Sequence, residues 1–547
     1  MTDYRIQSGE EMVGAGHSSK ADTLNRLALI EHNSDGTHKY NITGLAYIDI
    51  RNYLPVGFVT DGSVDYSTQT QAAIDANKGK RILIPSGLTL LAAGVLLSGA
   101  TYNNTHLVVE GTFKLKASAG ASNFGGAWVG IIFKDCDNVT LELYDSDGNR
   151  ANQTDSEYHH VIGLAGVTNF KAPYLSFREL RGDGIYISQS TWTSNTTNSS
   201  NVVLGQVMAI NTADDGRNAV SVISCDGFHM DSLFSDKVGG VVNSVTMPGG
   251  LDIEPSQTYH SVTDVTVGTV NVTTIGTTGC AVLGKAVTND ATRDWNVSRV
   301  SISDFRVRNT STTNSGPLFK RAADLDIKGS FSRSSTYNGI SLDYLDRVKS
   351  ELMSYNCSVG VIVGTDDWVN DFDIKVKVDT YSQVGLQTVG VQRGTFSGRV
   401  YGATSASSTF AIRTRSNSRS LTQSNIMYLV DAPYDGNNSR AFRNETGDTV
   451  AYTNCVALNC DWTGYANYST QCDAQIPSKD VRGRNWITAM PNAGAWVQGD
   501  FVWRSNNSAL DANNMFILGW MRLVTGTAHI DGTDWVTARV SNVSPAT

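Results

Sequence analysis

A four-residue pattern, a small residue followed by apolar, outward and apolar positions, returns along most of this chain and restricts its fold more than any other feature. Its copies are GIYI from Gly184, AVSV from Ala219, GLDI from Gly250, GCAV from Gly279, GPLF from Gly316, GISL from Gly339, GVIV from Gly360 and GLQT from Gly385. The starts fall about 21 to 37 residues apart, the length of one coil of a parallel β-solenoid whose longer coils carry loop insertions. Strands in such a stack repeat at about 4.8 Å and turn alternate side chains inward. Alignment of the copies gives an interior column of Ile185, Val220, Leu251, Cys280, Ile340 and Val361, uniformly apolar as a dry core requires. The expectation is an all-β parallel β-helix, with the pattern running from about Leu88 to about Leu429. The repeat is neither hexapeptide nor the Ca²⁺-binding nonapeptide, so no metal or other cofactor follows from it.

Composition points the same way. Charged residues are 17% of 547, and Pro is 10 against Gly at 51. That balance excludes coiled coil and charge-rich disorder and favours short strands with many corners. The formal net charge of −9 leaves no basic field for a phosphate backbone, so no nucleic-acid partner is expected. The most apolar stretch, Leu88 to Leu97, is half the length of a membrane helix, and MTDYRIQSGEEM lacks the basic and apolar regions of a secretory signal. A soluble, non-exported chain without membrane insertion is expected. Seven cysteines form no CxxC pair, which fits reduced, buried thiols better than disulfides or a zinc site.

Four regions follow from the changes of pattern. Residues 1–45 carry Leu24, Leu27 and Ile30 at helical spacing and read as a short attachment helix. Residues 46–87 read as a capping region and first coil, with a helix capped by Ser67, ended by Gly79 and followed by a strand from Arg81 to Ile84. Its apolar face would close the open end of the solenoid. Residues 88–472 form the solenoid. Residues 473–547, with Trp486, Trp496, Trp503, Trp520 and Trp535, read as a small β domain for trimerisation or for stacking on sugars.

The candidate chemistry lies on three central coils. With Gly184, Ala219 and Gly250 aligned, one outward column holds Tyr186, Ser221 and Asp252, and the next holds Ser188, Ile223 and Glu254. Asp252 and Glu254 are two apart on one strand face, about 6.6 to 6.8 Å between Cα atoms. Facing carboxyls at that scale suit glycoside hydrolysis, one protonating the leaving oxygen and the other attacking or activating water. Asp183 precedes the corner Gly184 two coils away, about 9.6 Å along the axis. Asp214 and Asp215, one a turn residue and one a site residue, lie between, ahead of Arg217.

The candidate catalytic set is therefore Asp183, Asp215, Asp252 and Glu254, with Asp366 and Asp367 in reserve. Arg217 could hold an acidic sugar, Tyr186, Trp192 and Tyr259 could stack on sugar rings, and His229 is placed on an insertion near Asp226. Each has a structural alternative. Asp252 or Glu254 could hold a turn, Asp183 could form an Asx turn, and Arg217 could pair with Asp215. The aromatics, including the His260 neighbour of Tyr259, could be packing, and His229 a solvated loop residue. His159 and His160 alternate along a strand, so at most one should face solvent.

DGSVDYSTQTQAAIDANKGKRILIPSG resembles the opening coil of right-handed β-helices of the pectate-lyase superfamily. ELRGDGIYI, DGRNAVSVISCDGFHMDSLFSD and PGGLDIEPS resemble consecutive coils of bacteriophage tailspikes in that group, and ADTLNRLALIEHNSDGTH resembles their virion-attachment ends. NAGAWVQGDFVW with GWMRLVTGTAHIDGTDWV is similar to their C-terminal modules. The resemblance implies a homotrimer on a virion, joined through its N-terminus to a phage tail or baseplate, that binds and cleaves a bacterial surface polysaccharide, capsule or O-antigen. Among the related polygalacturonases an Asn-Thr-Asp-Gly motif places a catalytic Asp where Asp183 stands. The next coil departs from that family, because Arg217-Asn218 takes the place of its paired aspartates and Gly249 that of its His. Hydrolysis is the expected reaction. The alternatives are a lyase, with Arg217, Lys237 or Lys285 as cations for a uronate, and a spike that binds without cutting.

Overall fold

The computed structural model describes residues 47–274, 278–287, 294–309, 316–333, 338–364 and 368–404, with shorter stretches from 410 to 457 and from 485 to 541. The expected attachment helix, Asp366 and Asp367 lie outside the described residues. Strands from Tyr47–Asp49 to Val456–Ala457, apart from the antiparallel hairpin Val241–Val242 with Val245–Thr246, join one sheet of 29 strands, and each pairing within it is parallel. This is the expected all-β, parallel β-helix.

The register is the one the small-apolar pattern dictates. Ile185 lies opposite Val220, Val220 opposite Leu251 and Leu251 opposite Cys280, all fully buried. Val361 continues the same inward set opposite Leu386, which lies opposite Ile412. The first position of the pattern is small because the coils close tightly there. A Cβ on Gly184 would stand 2.6 Å from the Ala219 carbonyl oxygen, and one on Gly360 2.6 Å from that of Gly385. Cys136, Cys225, Cys280 and Cys357 are buried thiols outside any disulfide, and burial pushes the first three up to about 12.

A second, longer set of strands shares the core. It includes Ser199–Ile210, Cys225–Asp236, Val262–Thr274 and Val297–Asn309. A corner residue with positive φ leads into it on successive coils: Asn138, Asn169, Asn201, Gly227 and Asp264. Asparagine tolerates the left-handed region better than most residues, and here it also ladders, Asn138 donating to Asn104 at 2.7 Å and Asn201 to Asn169 at 3.2 Å.

The helix Ser67–Ala76 buries Thr70, Ala73 and Ile74 against the first coils. Its cap differs from expectation. Ser67 is the first helical residue and not the cap, and Asp65 Oδ1 accepts its backbone N–H at 2.9 Å. The helix ends at Asn77, before Gly79. Toward the C-terminus, Asn485–Ile487, Phe501–Arg504, Met515–Arg522 and Trp535–Ser541 form a separate four-stranded mixed sheet. Trp520 and Trp535 are buried there, and the Arg522 guanidinium sits 5.2 Å from the Trp535 ring centroid.

Candidate active site

The strands Ile185–Ser188, Val220–Val222 and Leu251–Ile253 stack to give an outward column of Tyr186, Ser221 and Asp252, as aligned. Gly163 on the preceding coil extends it, and its missing side chain leaves room for the Trp192 ring, which a Cβ would meet at 2.9 Å. Just before these strands the loops close into the corner, bringing His160, Asp183 and Asn218 together. The Val161 N–H donates to the Asp183 carbonyl at 3.0 Å, and the Gly184 N–H to that of Asn218 at 2.9 Å.

Although outward from the core, the column is not solvent-facing: Asp183 is 0% and Asp252 1% exposed. The expectation of an open face fails because loops fold back over it. Arg217 ties the first of these acids to a third, Glu157. Its Nη1 lies 2.5 Å from Asp183 Oδ2, and its Nε 3.6 Å from Glu157 Oε2, a residue of the loop ahead of strand His159–Ala165. Its guanidinium stands 5.9 Å from the Tyr186 ring centroid. Asn218 positions the second acid, donating through Nδ2 to Asp252 Oδ2 and to Ser221 Oγ at 3.0 Å each. Its own Oδ1 accepts the Gly249 N–H at 2.9 Å, which fixes the amide orientation.

Each aspartate is thus anchored through Oδ2, while Oδ1 of both is buried without a hydrogen-bond partner. A buried acceptor left unpaired is unfavourable by about 1 to 3 kcal/mol, so two in one cluster mark positions where a proton or a ligand belongs. Burial pushes the Asp183 carboxyl up to about 6, with Arg217 opposing. Asp252 is raised well above the ordinary carboxyl range by burial and then by the Glu254 charge, again opposed by Arg217. Burial also raises half-buried Glu254, with Arg217 and Lys285 countering. His160 stacks on Tyr186 at 4.7 Å and 17°, and its Nδ1 accepts the Asp183 N–H at 3.2 Å. Burial, reinforced by Arg217, keeps its pKa well below the ordinary value, so the ring is neutral at pH 7.

Three of the four predicted catalytic residues, Asp183, Asp252 and Glu254, therefore meet at one cluster with Arg217 and Tyr186. Asp215 does not. Arg150 and Arg181 both pair with it, Arg181 Nη1 at 3.2 Å, and hold it on a loop. The pairing of Arg217 with Asp215 is replaced by pairing with Asp183. His229 is also separated, and on a regular strand, Cys225–Asp236, not an insertion. There it is partly exposed, lies opposite Val203 and Thr266 on the longer strand set, and meets Asp231 at 2.8 Å. Trp192 packs, 9% exposed, against Phe124, Tyr186 and His160, and donates to the Leu164 carbonyl at 3.3 Å.

Tyr259 is half-buried, edge-on to His260 at 4.8 Å, and its carbonyl accepts from Gln189 Nε2 at 3.3 Å; no contact joins it to the cluster among the described residues. His159 and His160 are both buried, so neither faces solvent. His159 instead accepts or donates at Ser118 Oγ, 2.8 Å away, in a loop contact. Sequence reasoning missed His160, Asn218 and Glu157 as members of the cluster. The alignment of Val161 with Gly184 carries a signal for His160; Glu157 has none, because a loop brings it in.

No known protein-family profile matches the chain, and no curated protein matches it. Among solved structures it is similar to an exopolygalacturonase from Thermotoga maritima, at 9% identity and TM-score 0.29 over 74% of this chain and 91% of that one. It is similar to a family 28 exopolygalacturonase of Yersinia enterocolitica, at 11% and 0.30 over 77% and 79%. It is also similar to a surface adhesin of Streptococcus pneumoniae, at 12% and 0.30 over 76% and 90%.

Proposed function

We propose that the chain is a polysaccharide depolymerase that hydrolyses a glycosidic bond at the Asp183–Arg217–Asp252 cluster. The observation that carries this reading is the pair of buried carboxyls, each fixed through Oδ2 with Oδ1 unpartnered. Their environments separate their roles. Asp252, lacking an ion pair of its own and facing Glu254, keeps its proton and gives it to the glycosidic oxygen as the bond to the anomeric carbon breaks. Asp183, held by Arg217, is ionised above about pH 6 and takes the proton of the water that attacks that carbon. Entry of glycan requires the Glu157 loop to move off Arg217.

The finer reading is a homotrimeric bacteriophage spike acting at the bacterial surface on capsule or O-antigen, with residues 1–45 joining it to the tail or baseplate. It is supported by the resemblance of the opening and central coils and of the two ends to tailspikes. The lyase alternative gains nothing from the cluster, since Arg217 is held between two carboxylates and Lys285 donates to the Ser256 carbonyl. The burial of Asp183 and Asp252 favours a second reading, a binding spike in which the cluster only pins coils together. Incubation with a panel of purified capsules and O-antigens, read by size-exclusion chromatography and mass spectrometry, separates these. Shortened chains gaining one water per cut support hydrolysis, unsaturated uronate ends support a lyase, and bound but uncut glycan supports the spike.

A further inference from the structure

The coils below the site carry a charge pattern that neither the core nor the cluster explains. The left-handed corner column continues past Asp264 as Arg299, Asp324, Arg347, Asp371 and Arg393, with φ between 49° and 56° throughout. Acid and base alternate, and three pairs are bidentate: Asp264–Arg299, Asp324–Arg347 and Asp371–Arg393. Arginine is a poor residue for the left-handed region, where the upper coils use asparagine, so these positions favour charge over backbone ease. All six are exposed or partly exposed; bidentate pairing uses two of the five N–H donors of a guanidinium, and Arg347 gives a further one to its neighbour Asp346.

Four residues further along the same strands, a second exposed column runs Lys328, Glu351, Lys375, with Lys375 Nζ at 2.9 Å from Glu351. Its alternation is opposite in phase. One coil presents Asp324 and Asp326 at the corner and Lys328 on the flat; the next presents Arg347 and Lys349, then Glu351; the third presents Asp371 and Asp373, then Lys375. The corner of one molecule therefore complements the flat of another at every coil when the two lie parallel at equal height. A slip of one coil, about 4.8 Å, sets like charge against like at all three. A hollow of about 450 Å³ lies along the strip, bounded by Asp326, Lys349 and Asp373 among others. Higher on the same sheet Phe234 and Ile210, 42% and 39% exposed, add apolar contact area.

We infer that this strip is a docking surface for a second copy of this chain, parallel and at the same height, with the corner column of one molecule against the Lys328–Glu351–Lys375 column of the next. Such a contact joins different patches and closes by rotation about an axis parallel to the solenoid. The inference rests on the proposal that the chain self-associates, and adds which surface does so and what sets its register.

The test uses the full chain. Native mass in low salt should exceed that of the 58.9 kDa protomer. Replacing all six corner charges by asparagine (Asp264→Asn, Arg299→Asn, Asp324→Asn, Arg347→Asn, Asp371→Asn, Arg393→Asn) suits the left-handed backbone, so the fold should persist by circular dichroism while the dissociation constant rises at least tenfold. Exchanging Glu351→Lys with Lys375→Glu keeps the ladder pair but inverts its phase, and should weaken assembly equally. Mixed Arg347→Cys and Glu351→Cys chains should cross-link on oxidation, and mixed Arg347→Cys and Lys375→Cys chains should not. A wild-type monomer overturns both self-association and this surface. An assembly unchanged in the asparagine variant, or cross-linking one coil out of step, overturns the surface alone.

Discussion

The coils from His159 to Lys285 and those from Gly316 to Ala403 share one sheet and one core, yet they treat charge in opposite ways. The upper coils have long loops between strands, and under those loops Asp183, Asp252, Glu254 and Glu157 crowd around Arg217 and Lys285. The lower coils return after about 21 to 25 residues, with little chain to fold back over the strands, and most charge among their described residues lies outside, much of it in alternating pairs. Among the described residues of the lower coils one acid is buried, Asp343, and Lys320 meets it at 3.0 Å. The difference teaches what separates a site from a staple. One acid beside one base leaves charge balanced, whereas a surplus of buried acid leaves a proton unassigned, and that proton is available for chemistry.

The strongest way to break the comparison is to remove the surplus. Asp252→Asn and Asp183→Asn should each lower glycan cleavage by about 10² to 10⁴ while the folded assembly and glycan binding survive, measured as the initial rate of chain shortening. Asp324→Asn in the lower coils should leave that rate within about twofold. Loss of rate only in the lower-coil variant would reverse the assignment of the two regions.

The shared core should fail alike wherever it is cut. Phe331 in the lower coils and Phe177 beneath the site are 0% and 1% exposed. Replacement of either by alanine should cost about 3 to 5 kcal/mol in denaturant unfolding. A much smaller loss at Phe331 would show that the lower coils are not continuous with the core above.

Acidity sharpens the contrast, because the upper site has raised carboxyls to titrate. Burial raises Asp183 to about 6, and its ionised form is the working one, so kcat/KM should fall about tenfold per pH unit below 6. It should fall again at high pH as Asp252, raised further, loses its proton. For stability the sign is opposite. A carboxyl raised in the fold favours the protonated state, so Asp183 is most compatible with folding below its unfolded pKa of about 3.9, and stability declines from there through about pH 6. A flat rate profile between pH 5 and 7 would count against Asp183 as the base.

The smallest effect is expected at Asp215, whose side chain is 39% exposed and paired with Arg150 and Arg181. Asp215→Asn should cost no more than about 1 kcal/mol and leave cleavage within about fivefold, as a partly exposed ion pair would. A loss of rate comparable to Asp252→Asn would return it to the catalytic set.

The coils were legible because their register is a short-range matter. A small residue is needed where backbones meet, and alternate side chains enter a dry core, so Gly184, Ala219 and Gly250 align by pattern and the structure stacks them so. With that register, the Tyr186–Ser221–Asp252 column was determined by sequence alone. Only the tertiary structure decided which charges share the site. The loop carrying Glu157 brings it to Arg217, while Arg150 and Arg181 hold Asp215 elsewhere. Burial of Asp183 and Asp252, which sets their protons, arises from segments far apart in sequence. Desolvation depends on everything packed around a group, and no local pattern of residues encodes it.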